Sequence, residues 1–420
     1  MAEADRTGSG STVRYIGLSL LVLACMATRL FHVQFESNFG PQAGMESGAI
    51  ARNLVDGHGY SLKLFWGSER LPTVHMPPGV PFLLALLYRL ELENPHLVFQ
   101  LFQVLAACLT LICIWALTRH AFSEPAAWVA ASLYVLDLNL SFTATWVNET
   151  ALNILFVYLG LWLIVRLDEQ PRYTTALATG VLFALGALVR PVMLLILALS
   201  LLWLALRRRH GFAELLRHAV VIVFTVALLL APWAVRNYRV TGRFVPICSN
   251  WAINLWLGYN PEAGGSQFGK NGRVLHPMGD LAEQLLDAKS EVEMDDLLSA
   301  DAWNYIRTQP VEALKLRPYC FFYFWLDHNY WLDPAPFPVS RRIRYANYLL
   351  VALTGIAVLV SWRRRGLARL LLTIMLCISF FYTIFHADIG NRFRMQIEPI
   401  MLMFIGNLLT IWWSEKPKSD

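Results

Sequence analysis

Residues 96–118 read HLVFQLFQVLAACLTLICIWALT, twenty-three positions without a single Asp, Glu, Lys or Arg. A helix of about 20 apolar residues crosses the hydrocarbon of a bilayer, so this stretch alone predicts a membrane span. Working outward, similar apolar runs lie near 15–34, 125–143, 148–165, 174–189, 192–206, 216–235, 345–361, 367–385 and 396–413. The expectation is an all-α polytopic membrane protein of about ten transmembrane helices (range 9–12), a single transmembrane domain over 1–413 and a short cytoplasmic tail at 414–420. The composition agrees: 56% of the 420 residues are hydrophobic and only 15% charged, where soluble domains carry roughly 25%.

The positive charges set an orientation. With Met1 inside, the inner segments hold the triplets Arg207–Arg209 and Arg363–Arg365 with Arg119, Arg166, Arg172 and Arg369, while the short outer turns hold only Arg190, Arg392 and Arg394. This predicts both termini in the cytoplasm and two long outer loops, 35–95 and 236–344. The net charge of +5 is small and its basic residues flank apolar runs, which argues against a nucleic-acid partner. The run at 15–34 reads as a retained first helix rather than a removed leader. Of the six cysteines none forms a CxxC pair, which disfavours zinc and dithiol chemistry, although Cys248 and Cys320 share one outer loop and could pair.

The first loop contains a short helix near 45–55 stopped by Gly57 and Gly59, then an extended strap Pro72-Thr73-Val74-His75-Met76-Pro77-Pro78. The apolar stretch 80–91 is too short to cross upright and is expected at the interface or dipping into it. The second loop has a Gly/Asn-rich stretch over 258–272, a polar helical region at 279–307 and an aromatic region from Tyr319 to Trp331.

Charge near hydrocarbon is expensive and often functional. The outer helix ends collect Glu46, Asp137, Glu149, Arg190, Arg236, His386, Asp388, Arg392 and Arg394 from separate parts of the chain. Two readings stand for each. Glu46 is a helix-start acid favoured by the dipole or a base facing a cavity. Glu149 is a first-turn acid or a contact to a metal or acceptor. Asp137, about two turns inside the third run, pairs with a neighbouring helix or joins a site. Arg190, and Arg236 with Asn237, are interfacial anchors or anion ligands; Arg suits phosphate because its fork binds two oxygens. Asp388 and Arg392 form a local ion pair or face a ligand. His75 and His58 are more often structural than ligating.

Taken in order, several segments resemble the polyprenyl-phosphate-sugar glycosyltransferases of the C-type superfamily, in particular bacterial relatives of the dolichyl-phosphate-mannose–protein mannosyltransferases and the lipid A aminoarabinose transferases. The carrying residues are Glu46-Ser47-Gly48-Ala49-Ile50-Ala51-Arg52-Asn53-Leu54 with Gly57-His58-Gly59-Tyr60, Pro72-Thr73, Pro77-Pro78-Gly79-Val80-Pro81, Asn148-Glu149-Thr150, Leu188-Val189-Arg190-Pro191, Pro232-Trp233-Ala234-Val235-Arg236-Asn237-Tyr238, Gly258-Tyr259-Asn260-Pro261, and Arg392-Phe393-Arg394 with Glu398-Pro399. The resemblance implies a first-loop acid as catalytic base. The family has an Asp or an Asp-Glu pair there, whereas this chain offers Glu46 alone, since Ala43 and Gly44 carry no charge. It also implies a second acid at Glu149 and phosphate contacts from Arg190, Arg236 and Arg394, with Arg392 and His386 beside them. Asp137, His75, Asn237 and Asp388 are secondary candidates. Use of a divalent metal varies among relatives, and the sequence assigns none.

The expected activity is transfer of a sugar from a polyprenyl-phosphate donor to an envelope glycan, lipid or protein acceptor, by inverting displacement at the outer face of the cytoplasmic membrane. Two other classes compete: a polymerase or ligase of lipid-linked oligosaccharides, and a flippase or transporter for lipid-linked sugars. The absence of repeated halves with matched broken spans weighs against transport. The Glu46 loop followed by Pro77-Pro78 weighs against the polymerase.

Overall fold

The computed structural model describes residues 2–36, 45–63, 70–207, 209, 211–265, 269–270, 275–326, 337–385 and 392–414. All ten apolar runs are helical. The chain opens with α1 (Ala2–Glu36), followed by the short α2 (Met45–Val55). A two-residue antiparallel pair, β1 (Ser61–Leu62) and β2 (Leu71–Pro72), precedes α3 (Gly79–Arg89) and α4 (Pro95–Ala121). Next come α5 (Glu124–Leu136), α6 (Leu138–Phe142), α7 (Thr150–Glu169), α8 (Tyr173–Val189), α9 (Val192–Arg207) and α10 (Phe212–Thr241). The second long loop carries α11 (Trp251–Gly258), α12 (Asp280–Asp287), α13 (Glu291–Thr308), α14 (Pro310–Lys315) and α15 (Arg317–Trp325). The chain returns to the bundle in α16 (Phe337–Ser361), α17 (Leu367–Phe385), α18 (Arg392–Met395) and α19 (Glu398–Ser414).

Five helices are long and apolar enough to cross a membrane, and five shorter apolar helices accompany them among the described residues, so the chain is a multi-pass membrane protein. The helix starts follow local chemistry. Asn94 caps α4 by accepting from the Leu97 N–H at 3.0 Å, with Pro95 in the first turn. Ser123 caps α5 in the same way through the Ala126 N–H. Gly242 ends α10 with φ +69°, a left-handed conformation that side chains resist.

The run at 125–143 is not one span, contrary to expectation. It breaks at Asp137, which takes extended backbone and accepts from the Leu140 N–H at 3.0 Å, starting α6 afresh. Asp137 is therefore a cap at a helix break rather than an acid two turns inside a span.

Helices approach closely where side chains vanish. A Cβ on Gly180 of α8 would lie 2.9 Å from the Ile222 carbonyl oxygen of α10, and one on Gly79 would lie 2.9 Å from the Leu188 oxygen. The second contact seats α3 against the end of α8. The buried face of α3 (Val80, Leu84 and Leu87) packs with Ala51 of α2, Phe99 of α4 and Val189 of α8.

The two ends of the bundle differ. One gathers ion pairs: Arg14–Glu124 at 2.7 Å, His120–Glu169 at 3.2 Å, and Arg207 and Arg209 each 3.1 Å from the buried Asp168. The other carries both long loops. There α11 to α14 build their own small core around Leu255, Trp256, Leu285, Met294, Leu298 and Tyr305. The two loops are stitched at Val74, whose N–H donates to Glu291 Oε2 at 2.6 Å and whose carbonyl accepts from the Ser249 N–H at 2.9 Å. Cys248 and Cys320 are both free thiols.

Candidate active site

Beneath the stitched loops lies a cavity of about 630 Å³, and Glu46, His75, Glu149, Arg190 and Arg392 all line it. Each arrives by a local rule. Arg190 is the C-cap of α8: its N–H closes the helix on the Gly186 carbonyl at 2.7 Å, and Pro191 holds it in extended backbone, which turns the guanidinium off the helix. Glu149 immediately precedes α7, but its carboxylate does not cap that helix. Asn148 Oδ1 accepts from the Thr150 N–H instead, at 2.9 Å. The carboxylate of Glu149 faces Arg190, 4.0 Å from its Nη2. Glu46 sits in the first turn of α2 and makes no hydrogen bond or ion pair among the described residues.

Burial alone would raise the Glu149 carboxyl, but the charges of Arg190 and Arg392 outweigh it and hold the group below the ordinary carboxylate value. Glu149 is thus held in its ionised form beside the two guanidinium groups. Arg190 is 7% exposed and lies over the Phe393 ring at 4.9 Å, yet its Nη1 is buried with no hydrogen-bond partner among the described residues. A buried, unspent donor on a cation is costly, and an oxyanion in the cavity would satisfy it.

The other candidates go elsewhere. Arg236 does not line the cavity. It donates to the Thr73 and Tyr60 carbonyls at 2.5 and 2.9 Å and lies between the Tyr60 and Trp233 rings, bracing the strap. Its neighbour Asn237 is fully buried and donates to the Val245 and Ile247 carbonyls at 3.0 and 3.1 Å. Arg394 is also fully buried, donating to the Trp325 carbonyl at 2.7 Å and to Asn347, and pairing with Glu398 at 3.4 Å. It ties α15, α16 and α19 together. Asp137 caps α6 away from the cavity. His386 and Asp388 lie outside the described residues. The sequence singled out acids and arginines and passed over Trp251, Asn254, His276 and Tyr382, which also line the cavity. Among the described residues no three His, Cys, Asp or Glu side chains converge to hold a metal ion.

Residues 75–235 match the Dolichyl-phosphate-mannose-protein mannosyltransferase family, a stretch that includes His75, Glu149 and Arg190. No curated protein sequence matches the chain. The oligosaccharyltransferase of Archaeoglobus fulgidus, tethered with an acceptor peptide, superposes with a TM-score of 0.55 at 14% identity over 96% of this chain and 50% of that one. The two chains share a fold. A second structure of this kind, archaeal AglB from Archaeoglobus fulgidus with an inhibitory peptide and a dolichol-phosphate, superposes at 0.52 and 12% identity over 96% of this chain and 51% of its own. ArnT from Cupriavidus metallidurans bound to undecaprenyl phosphate reaches 0.49 at 13% identity over 95% and 60%, too low to bear on the fold. The chain spans about half the length of the Archaeoglobus proteins.

Proposed function

We propose that the protein is a membrane glycosyltransferase that moves a sugar from a polyprenyl-phosphate donor to an acceptor at the outer face of the cytoplasmic membrane. The observation that carries this is the unspent Nη1 of Arg190, buried in a cavity that also holds Arg392 and the unengaged carboxylate of Glu46. The bond to be broken joins the anomeric carbon to a phosphate oxygen, and the leaving polyprenyl phosphate gains negative charge as it departs. Arg190 and Arg392 supply fixed positive charge where that charge develops. Glu46 takes the proton from the acceptor hydroxyl or amine as that atom attacks the anomeric carbon from the side opposite the phosphate, so the sugar inverts. Glu149, held ionised, keeps Arg190 aimed.

Sidedness rests on charge: the end opposite the cavity carries Arg14, Arg166, Arg207 and Arg209, which the positive-inside rule retains in the cytoplasm. The test is to incubate purified protein with polyprenyl phosphates bearing different sugars and to follow release of polyprenyl phosphate, then repeat with Glu46→Gln. Turnover falling about 100-fold or more in the variant, with donor affinity within about twofold, is expected for loss of a general base. Wild type that neither binds nor turns over any such lipid, or a fully active Glu46→Gln, overturns the reading.

A further inference from the structure

The eight residues of α11 have two unlike faces. Ala252, Leu255 and Trp256 are buried in the small core shared with α12 to α14, and the Trp256 indole N–H donates to Asp301 Oδ2 at 2.9 Å, which fixes the rotation of the helix. The face turned the other way presents Trp251 and Asn254 to the cavity that holds Glu46, Arg190 and Arg392.

Trp251 is 52% exposed and takes part in no ring stacking or hydrogen bond among the described residues. An indole held open on a rigid cavity wall invites a flat apolar surface. One turn on, Asn254 spends its amide N–H on the Asn250 carbonyl at 2.6 Å, which leaves Oδ1 as an acceptor beside that ring. An isoprenoid chain needs no acceptor, and the wall made by Val189, Val192, Leu195 and Phe381 already offers a purely apolar surface on α8, α9 and α17. A sugar ring needs both features at once: it has one C–H face and an edge of hydroxyl donors.

We propose that Trp251 and Asn254 form the wall that reads the transferred sugar of the lipid donor. The indole covers the C–H face, and Asn254 Oδ1 accepts from a ring hydroxyl. This rests on the transferase reading above and assigns the donor's sugar to one side of that cavity, opposite in role to the arginines that hold its phosphate.

The full chain in nanodiscs is titrated with bare undecaprenyl phosphate and with undecaprenyl phosphate carrying mannose, glucose, galactose or aminoarabinose. Trp251→Ala should weaken the best-bound sugar lipid at least tenfold while bare undecaprenyl phosphate stays within twofold, which also reports an intact fold. Trp251→Phe should restore most of the loss, and Asn254→Leu should change the ranking of the sugars. Equal loss of both lipids, no loss of either, or a wild type that prefers no sugar lipid over the bare phosphate overturns the assignment. If Trp251→Ala does not fold, Trp251→Phe and Asn254→Leu decide: an unchanged ratio of sugar-bearing to bare lipid overturns it. A wild type that binds no undecaprenyl lipid at all sinks the transferase reading itself, a different result from binding that α11 does not influence.

Discussion

At the scale of single residues, Arg190 and Arg236 look alike in the sequence: each closes an apolar run beside a proline or an aromatic ring. One ends in the cavity with a spare donor, and the other is consumed by two carbonyls, from Tyr60 and Thr73, 176 and 163 positions away. Nothing local distinguishes them, because the partner that decides is remote in the chain. The sequence left two readings open for each acid, a helix-start charge or a cavity group, and the structure puts Glu46 and Glu149 on one hollow. Glu149 carries a pH signature. Its pKa in the folded protein lies below the ordinary value of 4.5, so the stability it contributes is whole above that value and disappears as the pH falls through the lowered one. The gap in melting temperature between wild type and Glu149→Gln should be widest near pH 7 and narrow as the pH falls below 4.5. A gap of constant size over that range would mean the carboxylate is not held by the two arginines.

At the scale of elements, the helices were legible because an apolar run of span length has few other fates. The break at Asp137 was signalled by an acid within such a run, but its meaning as a fresh cap needed the backbone. The two-faced pattern of α11 was hidden inside a loop read for its glycines. Packing between elements yields a test. At Gly180 any side chain meets the Ile222 carbonyl and Thr225, so Gly180→Leu should lower the melting temperature in detergent by an amount corresponding to about 1–3 kcal/mol. Gly355→Ala in α16, where nothing lies within 4 Å, should be neutral or slightly stabilising. A second test concerns α13. Burial, reinforced by nearby Glu291 and Asp296, pushes the Asp295 carboxyl up to about 7. Because the folded value exceeds the unfolded one, stability is full below the ordinary range near 3.8 and is lost as pH rises through about 7. The melting temperature of wild type should fall between about pH 4 and pH 7 and level off above that, and Asp295→Asn should flatten that fall. An unchanged slope in the variant would assign the effect to another group.

At the scale of the whole molecule, the sequence could place charges on sides but not converge them on a site. Convergence depends on how helix ends meet in three dimensions, which hydropathy does not encode. Sidedness is testable directly. With native cysteines replaced by serine, a cysteine at the exposed Leu286 of α12 should react with a membrane-impermeant maleimide added to intact cells, and one at the exposed Arg364 should react only after lysis. The reverse pattern would turn the proposed orientation over. The double attachment at Val74 bears on traffic. A backbone position pinned from both directions, by Glu291 and Ser249, makes the two loops an arch with a fastened keystone. Such a roof resists swinging open like a hatch, which, on the transferase reading proposed above, favours a lipid that slides in sideways between helices. Loosening the keystone with Glu291→Ala should make the chamber leakier to water.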